Sequence, residues 1–543
     1  MIAVLMVAVA TVVPSEEPTY FPDPNLQVVE QTLGIFSPTP TDMLALAGLS
    51  ACERRIAEFT GLEYDINLEM LHLTGNLISD ISVISALANL TMLDLVNNPL
   101  NTTAYFSYIP LFRANNPSID LRYDSTPNPL TGDRATEPID LALFAPHWVQ
   151  TGCDQHNNRC GGADLNHQGN VDLSNSAIFA RYQIECSDAF ENAIAKFDNI
   201  VQRQIQADGM GAAAAAVVMN GQVIWKKGWG WRDIEQTIPA DGNGVYRIGS
   251  ITKSFTATAM MQLYEQRILK IDEPVYLYLS EIENLNGTLT QARSITFRQL
   301  ASHMSGLKKE PHSGIYASGP IEEWENKALA AIPDTQFRAD PGDSYRYSSI
   351  GFAILGLALS RPVTDKSYID IVHQKILQPL GMNHSGFILT PQMWPLLAEG
   401  IQNNDGTIDT QTPADQHAGR GYKVPSGGLY STIEDMTRFI AVHTGSATTE
   451  IISNTSLAEM HSIQTQPGSK AGQGLGFKLV QEDDCSWFVW HGGGIPGYDA
   501  VMWFHPQTRL GVVMLRSYRD GNNSLRPAVK NLIRTLVALQ NQT

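Results

Sequence analysis

Apolar residues in the first quarter of the chain recur at a period of 22. Leu46, Leu68 and Leu90 form one column, Leu49, Leu71 and Leu93 a second, and Ile56, Ile78 and Leu100 a third. Phe59, Ile81 and Thr103 align, as do Leu62, Ile84 and Phe106, and Asn76 matches Asn98. The stretch Leu68-x-x-Leu71-x-Leu73-x-x-Asn76-x-Ile78 predicts a short strand, an asparagine that bonds the turn, and a return segment. Stacking such units buries the apolar columns against one another. Beyond residue 250 the rhythm changes. Phe255, Ala259, Met260 and Leu263 follow at helical spacing, predicting a helix that begins near Ser250.

That helix start carries the chain's most informative chemistry, Gly249-Ser250-Ile251-Thr252-Lys253. Residues i and i+3 share a helical face, so the Ser250 hydroxyl and the Lys253 amine can meet. The positive end of the helix dipole favours an anion there. A serine hydroxyl needs a base and a held oxyanion before it attacks an acyl group, and this geometry offers both. Ser-x-x-Lys is a short pattern, and a capped helix with a surface lysine would read the same way. Two later segments add weight: Pro341-Gly342-Asp343-Ser344-Tyr345-Arg346-Tyr347-Ser348-Ser349, and Trp490-His491-Gly492-Gly493-Gly494-Ile495-Pro496-Gly497-Tyr498.

In this order the three segments resemble the penicillin-recognising serine hydrolases, which include class C β-lactamases, DD-peptidases, D-aminopeptidases and β-lactamase-like carboxylesterases. The elements read Ser250-x-x-Lys253, Tyr347-x-Ser349 and His491-x-Gly493. Phe297 to Leu307, Gln378 to Met382 and Pro425 to Thr432 resemble the same family, and the likeness spans about residues 190–540. It implies Ser250 as nucleophile, with Lys253 and Tyr347 as a coupled pair handling its proton; which of the two is the base stays open. It implies an oxyanion site at the Ser250 and Gly494 amides, with Gly493 letting the strand come close. His491 stands where the strict pattern has lysine, and its expected charge varies near neutral pH. Ser349 stands where asparagine is usual, which favours an ester over a peptide or β-lactam. His303 reads as a structural loop histidine. His491-Gly492-Gly493-Gly494 also resembles a lipase oxyanion strip, but no Gly-x-Ser-x-Gly elbow occurs in the chain.

The expected fold is multidomain. Residues 1–14 resemble a signal peptide, too short for a transmembrane span. Residues 20–125 resemble internalin-like leucine-rich repeats with an N-terminal cap. Residues 130–187 resemble a dockerin module, an EF-hand type of loop with Asp164, Asn166, Gln168, Asn170 and Asp172 as calcium ligands. Asn175 replaces the usual acidic clamp, which weakens that site. Residues 190–543 form the α/β serine hydrolase domain: an antiparallel sheet of five or more strands, terminal helices on one face, and a helical insert over about 270–420. Its first hairpin is expected at Ala213 to Asn220 and Val223 to Trp231, its last strands at Asp499 to Phe504 and Arg509 to Arg516, and its closing helix at Leu525 to Leu539.

The chain has 543 residues, is 43% hydrophobic and carries a formal charge of −18. That balance argues against nucleic acid and anionic membranes as partners. Cys153, Cys160 and Cys186 cluster, consistent with a disulfide whose pairing the spacing leaves open. The expected activity is an exported, secreted or cell-surface serine hydrolase acting on esters, with D-amino-acid peptides or β-lactams as the alternative. A different reading is an inactive adhesion protein whose repeats hold a glycan, cell-wall or protein partner. Catalysis calls for no cofactor; the only metal expected is structural calcium.

Overall fold

The computed structural model describes residues 18–123 and 173–542, apart from 20, 34, 36, 53, 97, 102, 364–365, 466–467, 483–486 and 521–523. The signal-like segment, the expected calcium ligands Asp164, Asn166, Gln168, Asn170 and Asp172, and Cys153, Cys160, Cys485 and the Cys186 side chain lie outside the described residues. The chain divides into two compact units, Met1–Ser187 with Gln540–Thr543, and Asp188–Leu539.

In the first unit four short strands, β1 (Gly48–Ser50), β2 (Met70–His72), β3 (Met92–Asp94) and β4 (Asp120–Arg122), pair in parallel. Gly48 faces Met70, Met70 faces Met92, and Met92 faces Asp120. The first two steps are the 22-residue period of the sequence, because only that offset stacks the apolar columns. Leu49, Leu71 and Leu93 are buried together, and so are Leu46, Leu68 and Leu90. Asn76 Nδ2 donates to the Ala51 and Leu73 carbonyls, and its Oδ1 accepts from the Arg54 and Ile56 amides. Asn98 repeats the pattern on Leu73, Leu95 and Ile78. Each asparagine satisfies backbone groups that so short a strand leaves unpaired. Cys52, beside β1, is disulfide-bonded, a cysteine outside the cluster the sequence singled out.

The second unit is built on a seven-stranded antiparallel sheet. Its strands are β5 (Ala212–Met219), β6 (Gln222–Gly230), β7 (Ala471–Gln473), β8 (Lys478–Gln481), β9 (Trp487–Ile495), β10 (Tyr498–His505) and β11 (Leu510–Arg516). Their spatial order is β7-β8-β9-β10-β11-β5-β6. The sequence expected the first hairpin and the last two strands; the polar three- and four-residue strands β7 and β8 carry too little pattern to be read in advance.

Both faces of the sheet are covered, so its central strands read as continuous apolar runs rather than as alternation. The side chains still alternate by face. Ala213, Ala215, Val217, Val512 and Met514 join a core with Phe197, Val201 and Ile205 of α1 (Leu173–Asp208) and Val529, Ile533 and Leu536 of α5 (Arg526–Gln542). Ala214, Ala216, Val218, Val513 and Leu515 face the other core, formed with the insert. Three helices matter on that side: α2 (Thr252–Glu265), α3 (Ser349–Ser360) and α4 (Ile433–His443). Helix α2 is buried from Thr252 through Leu263 on every face, as a central helix must be. Phe255 of α2 stacks on Phe439 of α4 at 3.8 Å between ring centroids.

Candidate active site

Ser250 lies in the single 3-10 turn Gly249–Ile251 that leads into α2. The turn is braced from within, where Thr252 Oγ1 donates to the Gly249 carbonyl at 2.7 Å and accepts from the Leu429 amide at 3.2 Å. Helical spacing then brings Lys253 back to the serine, and Lys253 Nζ donates to Ser250 Oγ at 3.2 Å. Its second bond, 2.7 Å long, goes to the Ser426 carbonyl in the short helix Val424–Gly427. Tyr347 arrives from the insert, two residues before α3, and its hydroxyl bonds Ser250 Oγ at 2.9 Å. One oxygen is therefore held by the amine and the phenol together.

Electrostatics ties this pair into one proton-handling unit. Lys253 is 1% exposed, and burial pulls its ammonium below its ordinary range despite the opposing pull of Tyr347. Burial alone would raise the Tyr347 phenol; the Lys253 charge 4.9 Å from its ring centre, with the bond to Ser250, holds it below its usual value instead. A lowered phenol next to a lowered amine forms a pair suited to take the proton of Ser250.

Strand β9 closes the site. An added Cβ on Gly493 would lie 1.8 Å from the Ile248 carbonyl oxygen and 3.2 Å from the Ser250 amide nitrogen, so only glycine admits this approach. Gly249 has φ +51°, and a Cβ on it would meet the Gly494 amide nitrogen at 2.9 Å. The backbone of 493–494 thus lies against the serine turn, where an oxyanion would need donors. From the other face Arg526 Nη2 donates to the Gly493 carbonyl at 2.7 Å and pairs with Asp499, pinning the strand. Sequence reasoning passed over Arg526 because it acts from the closing helix.

One expectation changes. His491 is 2% exposed; its Nδ1 bonds the Gly492 carbonyl at 2.8 Å, and its Nε2 is buried without a partner. Burial, then the Lys253 charge, pushes its imidazole down to about 3, so it is neutral at physiological pH rather than variably charged. Nor does it bond Tyr347 among the described contacts. Ser349 is placed at the first position of α3, buried, with its amide on the Lys309 carbonyl at 2.8 Å; its neighbour Ser348 caps the helix by accepting from the Gly351 amide.

His303 is fully buried with φ +60°, a left-handed conformation that non-glycine residues rarely adopt. Its Nδ1 accepts from the Ser348 amide at 3.1 Å, its carbonyl accepts from the Arg346 amide at 2.8 Å, and its ring lies 4.3 Å from that of Tyr347. The loop histidine of the sequence therefore holds both neighbours of the phenol. Among the described residues no group of three or more His, Cys, Asp or Glu side chains could hold a metal ion. No described helix is long and apolar enough to cross a membrane.

Comparison with known proteins gives the family and the fold. The Beta-lactamase family model matches residues 197–534. A beta-lactamase-like protein of Homo sapiens is 28% identical over 345 residues, covering 60% of this chain and 65% of that one. Beta-lactamase-like protein 2 of Dictyostelium discoideum is 29% identical over 338 residues, covering 60% and 59%. Protein flp of Staphylococcus aureus is 24% identical over 331 residues, covering 59% and 62%. The chain thus spans less than two thirds of the length of each of these relatives. Among solved structures, the octameric penicillin-binding protein homologue from Pyrococcus abyssi superposes with a TM-score of 0.54 at 22% identity, over 64% of this chain and 77% of that one. A class C beta-lactamase gives 0.53 at 18% identity, over 64% and 96%.

Proposed function

The chain belongs to the beta-lactamase family, a family of serine hydrolases, and from that premise we propose that it is a hydrolase working through an acyl-enzyme at Ser250. The observation that carries the reading is the single oxygen, Ser250 Oγ, held at 3.2 Å by Lys253 and at 2.9 Å by Tyr347. In the proposed step Ser250 Oγ attacks the substrate carbonyl carbon while its proton passes to the Lys253–Tyr347 pair. The oxyanion is taken up by the Ser250 and Gly494 amides. Collapse breaks the bond to the leaving alcohol, which takes the proton from the pair. Water then repeats the sequence on the acyl-enzyme and releases the acid.

Carboxylic esters are the proposed substrates. Ser349 has a short side chain at the start of α3, where an asparagine would reach toward a substrate amide, and His491 carries no charge to offer a β-lactam carboxylate. The parallel strands and the Asn76 and Asn98 bonds support a leucine-rich repeat segment over 20–125. The disulfide at Cys52 supports export, since disulfides persist in oxidising compartments. The calcium module stays a proposal on sequence pattern alone.

The test is turnover of a short-chain p-nitrophenyl ester, nitrocefin and a D-Ala-D-Ala peptide, beside Ser250→Ala. Ester hydrolysis that disappears in the variant supports the reading; activity on the peptide or nitrocefin alone moves the substrate class. No turnover, with no labelling of Ser250 by a fluorophosphonate, sinks the enzyme reading and leaves an adhesion protein.

A further inference from the structure

The three consecutive glycines of β9 answer to different neighbours. Gly493 makes room for the serine turn, as described above. Gly492 and Gly494 make room for guanidiniums on the opposite face. An added Cβ on Gly492 would lie 2.9 Å from Arg526 Nη1, and one on Gly494 would lie 3.5 Å from Arg526 Nη2 and 3.4 Å from Arg519 Cζ. Successive strand residues face opposite sides of a sheet, so the alternation of neighbours follows from the pleat. Arg526 thus lies along the back of the strand whose front meets Ser250.

That position has a cost. Arg526 opens α5, where a cation meets the positive end of the helix dipole. The strand supplies what holds it there. Arg526 Nη2 donates to the Gly493 carbonyl at 2.7 Å, and Nη2 and Nε both donate to the Asp499 carboxylate, Nε at 3.3 Å. Asp499 stands opposite Gly494 on β10. A carboxylate gripped by two donors of the planar fork fixes the guanidinium in orientation, so the bond to Gly493 is aimed rather than incidental.

The carbonyl of Gly493 and the N–H of Gly494 belong to one peptide unit. In a planar trans peptide they point in opposite directions. With the carbonyl turned to Arg526, the N–H is turned to the other edge of β9. Strand β8 ends its pairing on that edge with Lys478 opposite Trp490, and beyond it Gly249 of the serine turn packs at the Gly494 nitrogen. Amide resonance joins the two ends: a cation on the oxygen draws charge from the nitrogen and makes its N–H a stronger donor. The Arg526 charge is also felt on the front of the strand, where it is among those that lower His491.

We propose that Arg526 is a positioning residue for the oxyanion site: bound to the Gly493 carbonyl and steered by Asp499, it fixes and polarises the Gly494 N–H that meets the charge developing on the substrate oxygen. The inference rests on the acyl-enzyme reading above and deepens it.

The test compares p-nitrophenyl acetate with its thionoester, in which sulfur replaces the carbonyl oxygen and accepts poorly from the same donors. Arg526→Met removes the charge and the donors. It is expected to lower kcat/KM for the ester by roughly 10- to 100-fold, somewhat less than the loss of a whole oxyanion donor. The thionoester slows far less, so the ester-to-thionoester ratio of kcat/KM falls by about the same factor. Arg526→Lys, a charge without the planar fork, gives an intermediate ratio. A variant that merely loosened the closing helix would slow both substrates alike, because Ser250, Lys253 and Tyr347 serve each of them. If Arg526→Met fails to fold, Arg526→Lys carries the test, and a ratio equal to that of the wild type overturns the assignment. Equal losses on ester and thionoester in Arg526→Met, or no loss on either, overturn it as well and leave the hydrolase standing. No turnover of any ester by the wild type and no fluorophosphonate labelling of Ser250 overturns both.

Discussion

Ser250 Oγ has two partners that compete for one proton, and the pH dependence of the reaction should belong to that pair. Burial lowers Lys253, and the charge of Lys253 lowers Tyr347, so the pair releases its shared proton at a lower pH than the free groups would, and activity rises as it does so. His491, pushed down to about 3, does not change charge between pH 5 and 8, and burial holds His303 well below its ordinary value. His491→Gln is therefore expected to leave the acid limb of kcat/KM within about 0.3 units of the wild type, whereas Tyr347→Phe displaces or abolishes it. Tyr347→Phe should also cost roughly 10²–10⁴-fold in kcat, the usual worth of a positioned acid–base group. Steady-state kinetics from pH 5 to 9 checks both, and an acid limb that disappears in His491→Gln would contradict the neutral assignment. His303 makes a separate residue-scale prediction through the backbone it holds. His303→Asn keeps a side chain tolerant of positive φ and an oxygen able to accept from the Ser348 amide, so it should retain more activity than His303→Phe, which has a ring but no acceptor.

At the scale of elements, the site exists because a strand and a helix start come closer than side chains normally allow. Gly493→Ala would drive a Cβ to within 1.8 Å of the Ile248 carbonyl, so β9 must retreat from the serine turn. We expect a loss of at least ~100-fold in kcat/KM, since misplacing a donor by about 1 Å has that cost, with a lowered melting temperature beside it. Unchanged kinetics and stability would show that the approach is not needed. Much of this contact was legible in advance, because Ser250, Lys253 and the glycines are local pattern: a hydroxyl and an amine three residues apart, and a strand stripped of side chains. The 22-residue period was legible for the same reason, as a pattern that repeats is its own control. His491 was misread because its charge is set by burial, a tertiary property that its neighbours in sequence do not encode. Arg526 was beyond reach in a related way: it acts on the backbone carbonyl of Gly493, and a backbone partner leaves no residue type to find. His303 was legible as a structural loop histidine, but its partner, the Ser348 amide, was not.

For the molecule as a whole, charge and burial point to one weak place, in the repeat unit. The chain carries −18, and the buried carboxylates of Asp23, Asp94, Asp233 and Asp435 are each hydrogen-bonded. Asp65 is not: it is fully buried, neither carboxylate oxygen has a partner, and burial pushes its carboxyl up to about 7 from 3.8. Its folded value lies above its unfolded one, so the stability associated with the protonated form is fully present below about pH 4 and is lost as the pH rises through 7. Above that the folded unit must hold an unpaired buried charge. Hydrogen exchange at the Leu71 and Leu93 amides, corrected for the intrinsic pH dependence, should show protection falling by ~10-fold or more between pH 5 and 8. Asp65→Asn, which removes the charge and keeps the shape, should flatten that fall while ester turnover at Ser250 is unaltered. A fall of equal size in Asp65→Asn would place the titrating group elsewhere. The opposite sign, protection growing with pH, would mean that the Asp65 carboxylate has found a cation in solution and that the first unit is packed more openly around its third apolar column than Ile56, Ile78 and Leu100 show.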